Sequence, residues 1–215
     1  MGPSACYEDL KQLARQLREQ HGITTETLNL AAVKRIYRFE GIAVDMWKLS
    51  LRIRAVYMCD EDDPSVLINA ALPKEPRLFA TVHELKHHFR DRAILECGQI
   101  PCGDYNANRD IEVGAEVFAA EFIFPEAEFA VVAQQLNLFS KSPITAEDVV
   151  RLKRSVKAPV SYRFIRKRLE FFKILPRGHF AKVRFTVLEE EMFGVPIYKQ
   201  DWFRRRRAAR SNRAS

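Results

Sequence analysis

Residues 83–87 read His83-Glu84-Leu85-Lys86-His87, within a stretch from about Arg77 to Arg92 whose apolar residues recur at helical spacing. On a helix, residues four apart differ by about 40° in direction and lie one turn above each other. Two imidazoles at that spacing can converge on one ion. Glu84 points beside them, where it can act on a water held by that ion instead of ligating it.

A second helical segment, ending at Pro125, carries Glu112 and Glu116 one turn apart. Helical periodicity puts both on one face, opposite a stripe of Val113, Val117 and Ala120. Carboxylates near a core helix want partners. Glu112 would complete a set of two histidines and one carboxylate, leaving the fourth position of a tetrahedral zinc for water. Glu116 would accept the free ring N–H of a ligating histidine. A solvated acidic face is the other reading of the pair, and Glu121 is the second choice of ligand. His88 is expected to pack or to face solvent. Cys97 and Cys102 lack zinc spacing and read as buried or loop thiols. For an oxyanion donor, Tyr105 and His88 are the candidates.

His83-Glu84-Leu85-Lys86-His87, followed after a loop by Glu112-x-x-Ala115-Glu116-x-Phe118-Ala119-Ala120-x-Phe122-Ile123-Phe124-Pro125, resembles the ImmA/IrrE metallopeptidases. In that family the second motif typically runs Glu-x-Glu-Ala-Asn-x-Phe-Ala-Ala-x-Leu-Leu-Met-Pro; here Gly114 replaces a second acid and Glu116 replaces Asn. The resemblance covers about residues 5–175 and is strongest over 77–125. It implies a cytoplasmic, zinc-dependent endopeptidase that cleaves a helix-turn-helix repressor of the XRE type, derepressing a stress-response or mobile-element regulon. Manganese is the other metal considered.

Around these motifs the chain organises as an α+β protein, mostly helical, with a small sheet in its N-terminal half packed on the metal-site helix pair. Helices are predicted from Ser4 to His21 and from Thr27 to Phe39, the second closed by Gly41. Strands are predicted at 42–47, 51–58 and 66–70, with Glu61-Asp62-Asp63-Pro64 as a turn. Residues 1–125 form the metallopeptidase core, and 126–176 a helix-turn-helix-like extension of the same domain. Residues 177–203 form a short β-containing segment with strands near Lys182–Leu188 and Gly194–Tyr198, and 204–215 a disordered arginine-rich tail.

The formal charge of +7 belongs mostly to that tail, whose six arginines and no acid leave +1 for the preceding 203 residues. A near-neutral body argues against a nucleic-acid protein defined by bulk charge. A local basic face remains: nine Lys or Arg against one acid, Glu170, lie between Arg151 and Lys173. Arg163, Arg166, Lys167 and Arg168 are therefore expected on the exposed side of a helix, contacting DNA phosphates or a protein substrate. A DNA-binding regulator with a structural or vestigial metal site is the competing reading. No apolar run reaches the roughly 18 residues of a membrane span, and four cysteines without a CxxC pair suggest reduced thiols, so a cytoplasmic protein without membrane contact is expected.

Overall fold

The computed structural model describes residues 3–50, 52–60, 63–92, 100–101, 109–196 and 199–200. The α+β expectation holds: the chain combines helices with a four-stranded sheet of order β1-β3-β2-β4. Two compact units are distinguished, Met1–Val132 with Val156–Ser161, and Ala133–Ser155 with Tyr162–Ser215. Among the described residues, no helix is long and apolar enough to cross a membrane.

The first unit begins with α1 (Pro3–Gln20), whose Leu10, Ala14 and Leu17 form the buried stripe set by helical periodicity. That stripe packs on α4 (Arg109–Ile123), where Ala115, Phe118, Ala119 and Phe122 are buried. Each phenylalanine so buried contributes roughly 1.5–3 kcal/mol. Polar contacts fix the register of the two helices: Arg15 pairs with Glu121 at 2.9 Å, and Arg18 donates to the Phe122 carbonyl at 2.6 Å.

Helix α2 (Leu30–Phe39) starts three residues later than its periodicity suggests, because the Asn29 side chain accepts from the Ala32 amide and caps it there. Its end is a Schellman closure, with Ile42 N–H on the Tyr37 carbonyl, Gly41 N–H on the Arg38 carbonyl, and Gly41 at φ +71°.

Strand β1 (Ala43–Trp47) runs parallel to β3 (Asp63–Asn69), and β2 (Ala55–Asp60) runs antiparallel to β3 and to the two-residue edge β4 (Ile100–Pro101). Ala55, Tyr57 and Cys59 alternate inward, as the sequence rhythm requires. Strand β2 nevertheless begins at Ala55, not at 51, and Asp63-Pro64 belongs to β3 instead of a turn. Asn69 supplies the reason for the first difference. Fully buried, it donates to the carbonyls of Leu49, Ser50 and Ile53 and accepts from the amides of Leu49 and Ala71. Backbone groups that a strand would send to a neighbour are spent on this one side chain.

Helix α3 (Lys74–Lys86) passes into a π-helical turn, His87–Asp91. It packs on β2, β3, α2 and α4, so that every residue from Ala80 to His87 is buried. A helix enclosed on all sides has no solvated face for its polar groups.

The second unit contains α6 (Ala146–Ser155), α7 (Tyr162–Phe171) and α8 (Phe185–Phe193); α5 (Glu126–Gln135) spans the division between the units. Where the sequence suggested a strand at 182–188, the structure forms α8. The Phe185 ring stacks on Tyr162 with centroids 4.8 Å apart, and the Tyr162 hydroxyl donates to Glu189 at 2.8 Å. Residues 185 and 189 can both reach Tyr162 only at helical spacing. Gly194, at φ +81°, ends that helix, and residues 194–196 are not a strand. Ile197, Tyr198 and the arginine-rich tail lie outside the described residues.

Candidate metal centre

Three side chains from two helices meet in the first unit. His83 and His87 come from α3 and its π-helical continuation, and Glu112 comes from the first turn of α4. One ligand atom from each lies within 4.8 Å of the others. His83 Nε2 is 3.2 Å from Glu112 Oε2, His87 Nε2 is 3.7 Å from Glu112 Oε1, and the imidazole centroids are 5.1 Å apart. None of the three residues is more than 2% exposed.

Hydrogen bonding at the far side of His87 tells what these atoms need. Its Nδ1 lies 2.7 Å from Asp91 Oδ2, and the Lys86 ammonium sits 2.7 and 2.8 Å from the two Asp91 oxygens. A carboxylate so paired only accepts, which makes Nδ1 the donor and leaves the lone pair on Nε2. That lone pair is buried, makes no hydrogen bond, and faces the Glu112 carboxylate. His83 Nε2 is likewise buried with no hydrogen bond. Acceptors turned toward one another in a low-dielectric interior are mutually repulsive unless a cation lies between them. The residues present therefore fit a divalent metal, and two imidazoles with one carboxylate suit zinc.

Glu84 is fully buried on the same helix, one residue after His83. Behind it, the Tyr37 hydroxyl donates to the Thr81 carbonyl at 2.6 Å. Burial, with the charge of Glu84 adding to it, pushes the Tyr37 phenol well above its ordinary value and keeps it a neutral donor.

The other candidates from the sequence take different places. On α4 the buried face is Glu112, Ala115, Phe118, Ala119 and Phe122; Val113, Val117 and Ala120 are only half-buried, so the stripe expected there is displaced. Glu116 is half-buried one turn beyond Glu112, and the ring N–H of His87 goes to Asp91 instead. Asp91 is a partner of the site that the two motifs do not include; its signal in the sequence is an acid four residues after His87 in a continuing helix. Glu121 is buried but turned to Arg15 and to the Glu126 amide. His88 is half-buried against Tyr57, its Nδ1 3.1 Å from the phenol oxygen, and burial lowers its basicity. Tyr105, Cys97 and Cys102 lie outside the described residues.

In the second unit the four basic residues of α7 divide. Arg163 and Lys167 are exposed, Lys167 pairing with Glu170 at 2.9 Å. Arg166 is half-buried and donates to the Phe180 carbonyl at 3.2 Å. Arg168, 6% exposed, lies over the Phe164 ring at 5.6 Å. The expectation that all four project to solvent is thus corrected: residues 164, 165, 168 and 169 form the buried face of α7, and helical periodicity places Arg168 among them.

A family model of the IrrE N-terminal-like domain, peptidase M78, matches residues 41–170, more than half of the chain. Among solved structures, a Mycobacterium tuberculosis transcriptional regulator is similar in fold, with a TM-score of 0.53 and 20% identity over 79% of this chain and 48% of that chain. The chain thus spans about half the length of that protein. No curated protein matches the sequence significantly.

Proposed function

The chain belongs to the peptidase M78 family, that of the IrrE N-terminal-like domain, and on that footing we propose that it is a zinc-dependent endopeptidase working at His83, His87 and Glu112. One observation carries the reading: two buried imidazole nitrogens that make no hydrogen bond and a carboxylate converge in one site, with Glu84 on the same helix.

Zinc bound there would supply Lewis acidity, making a water acidic near neutral pH and polarising the scissile carbonyl. The chain's own residues supply the rest. Asp91 holds the His87 ring with its Nε2 lone pair toward Glu112, and the rigid helix pair fixes His83 against the same carboxylate. Glu84 takes a proton from the attacking water as oxygen adds to the carbonyl carbon, and returns it to the nitrogen as the C–N bond breaks.

The substrate proposed is a helix-turn-helix repressor of the XRE type, cleaved in the cytoplasm to release a stress-response or mobile-element regulon. Support for a regulatory setting is the fold similarity to a protein described as a transcriptional regulator. The same similarity favours a second reading, a DNA-binding regulator with a vestigial metal site. The inward placement of Arg166 and Arg168 reduces the phosphate-facing charge that reading needs.

The deciding experiment pairs metal analysis with incubation against a purified helix-turn-helix repressor of the XRE type. The parent protein is expected to hold about one zinc, and Glu84→Gln to keep the metal and lose at least about 100-fold in cleavage rate. A fully active Glu84→Gln variant removes the mechanism. Duplex binding that weakens with salt and survives loss of Glu84, with no cleavage, favours the regulator.

A further inference from the structure

We propose that Lys86 and Asp91 are a positioning pair for the metal centre, with Lys86 tying the orientation of His87 to the helix that carries Glu112. This inference rests on the metallopeptidase reading above.

Lys86 is one of the two residues of the His83–His87 segment with no expected role at the metal, yet it is only 4% exposed. A lysine ammonium taken out of water costs several kcal/mol unless it is paired and hydrogen-bonded. Here it has three partners: Asp91 Oδ1 at 2.8 Å, Asp91 Oδ2 at 2.7 Å and the Ile111 carbonyl at 3.1 Å. Those partners are distinctive. Asp91 Oδ2 also accepts from His87 Nδ1, and Ile111 immediately precedes Glu112. One cation therefore holds the carboxylate that orients one metal ligand and the backbone beside another.

Gly114 lies beside the pair: a Cβ there would stand in ordinary contact with Lys86, 3.4 Å from Cε and 3.5 Å from Nζ, and more tightly against Leu10 Cδ1 at 3.0 Å.

A stabilising role alone is a poor account of this arrangement, since apolar residues of similar volume often serve as well as a buried ion pair or better. What apolar residues do not provide is an acceptor fixed on His87 Nδ1, which specifies the tautomer with its lone pair on Nε2.

The test uses the full chain and zinc itself. Zinc affinity is measured by competition with a chromogenic chelator for the parent and for the Lys86→Met/Asp91→Asn double variant, which removes both charges together and so leaves neither stranded. Thermal unfolding of the metal-free proteins reports whether the variant folds. The folded double variant is expected to bind zinc about 10–100-fold more weakly and, loaded with cobalt, to show an altered visible spectrum. Zinc binding within about threefold of the parent, with an unchanged cobalt spectrum, overturns the pair while leaving the metal site standing. A parent that takes up no zinc overturns the metallopeptidase reading and this inference with it. A measurement free of variants stands beside these: nitrogen NMR of the zinc-loaded parent is expected to show His87 protonated on Nδ1 and bound to the metal through Nε2, and ligation through Nδ1 overturns the proposal.

Discussion

His83 Nε2 stands 3.2 Å from Glu112 Oε2 across the gap between α3 and α4, the closest approach between the two helices' metal-site groups. The two residues are 29 positions apart in the chain, and both are buried. Their proximity separates Glu112 from the other acids of α4. Glu112→Ala is therefore expected to abolish stable zinc retention on gel filtration. Glu121→Ala, which removes a partner of Arg15 and of the Glu126 amide, should leave zinc stoichiometry intact and lower stability by about 1 kcal/mol. Metal analysis of the two purified variants checks this; the reverse order would assign the third ligand to Glu121.

The basic residues of α7 offer a contrast in stability. Arg168 is buried against Phe164, whereas Lys167 is exposed. Arg168→Ala should cost about 1–3 kcal/mol, through lost packing as much as lost charge. Lys167→Ala should stay within about 0.5 kcal/mol of the parent. Urea denaturation midpoints measure both, and equal effects would contradict the division of this face.

Asn69 holds the loop that delays β2. Asn69→Ala strands the carbonyls of Leu49, Ser50 and Ile53 and the amide of Ala71. A loss of about 2–4 kcal/mol is expected, since buried groups left without partners cost about 1–3 kcal/mol each and water recovers some of them. A midpoint shift in urea with the slope unchanged is the signature.

Acid sensitivity is expected at the start of α6. Burial tends to raise the Asp148 carboxyl, but hydrogen bonds from Lys141 and from the amide and hydroxyl of Thr145 outweigh it, and the net shift is downward. A carboxyl depressed in the folded state contributes stability that is present above its unfolded pKa, near 4, and is lost as pH falls through the lower folded value. Asp148→Asn should accordingly lower stability at pH 7 by about 1 kcal/mol, the scale of a helix-capping interaction, and flatten the decline below pH 4. Thermal melts from pH 2.5 to 7 test it; a parallel pair of curves would show that Asp148 contributes nothing through its charge.

Local pattern made much of this molecule legible. The i, i+4 histidines, the Gly41 closure and the alternation along β2 are short-range consequences of backbone geometry, and each can be read from neighbours in the chain. Pairing Glu112 with His83 needed one further idea, that acids on an apolar helix require partners. What stayed hidden depended on which groups the fold buries. The inward face of α4, the enclosure of α3 on every side, Lys86 spanning to Ile111, and Tyr162 drawing 185–193 into a helix all arise from contacts between segments distant in sequence. The sequence by itself determined that two imidazoles and a glutamate would share one turn of helix, because periodicity alone sets that. Only the tertiary structure decided which carboxylate faces them and which tautomer His87 holds, because desolvation and hydrogen-bond partners exist only once the second helix and the π-helical turn have closed around the site.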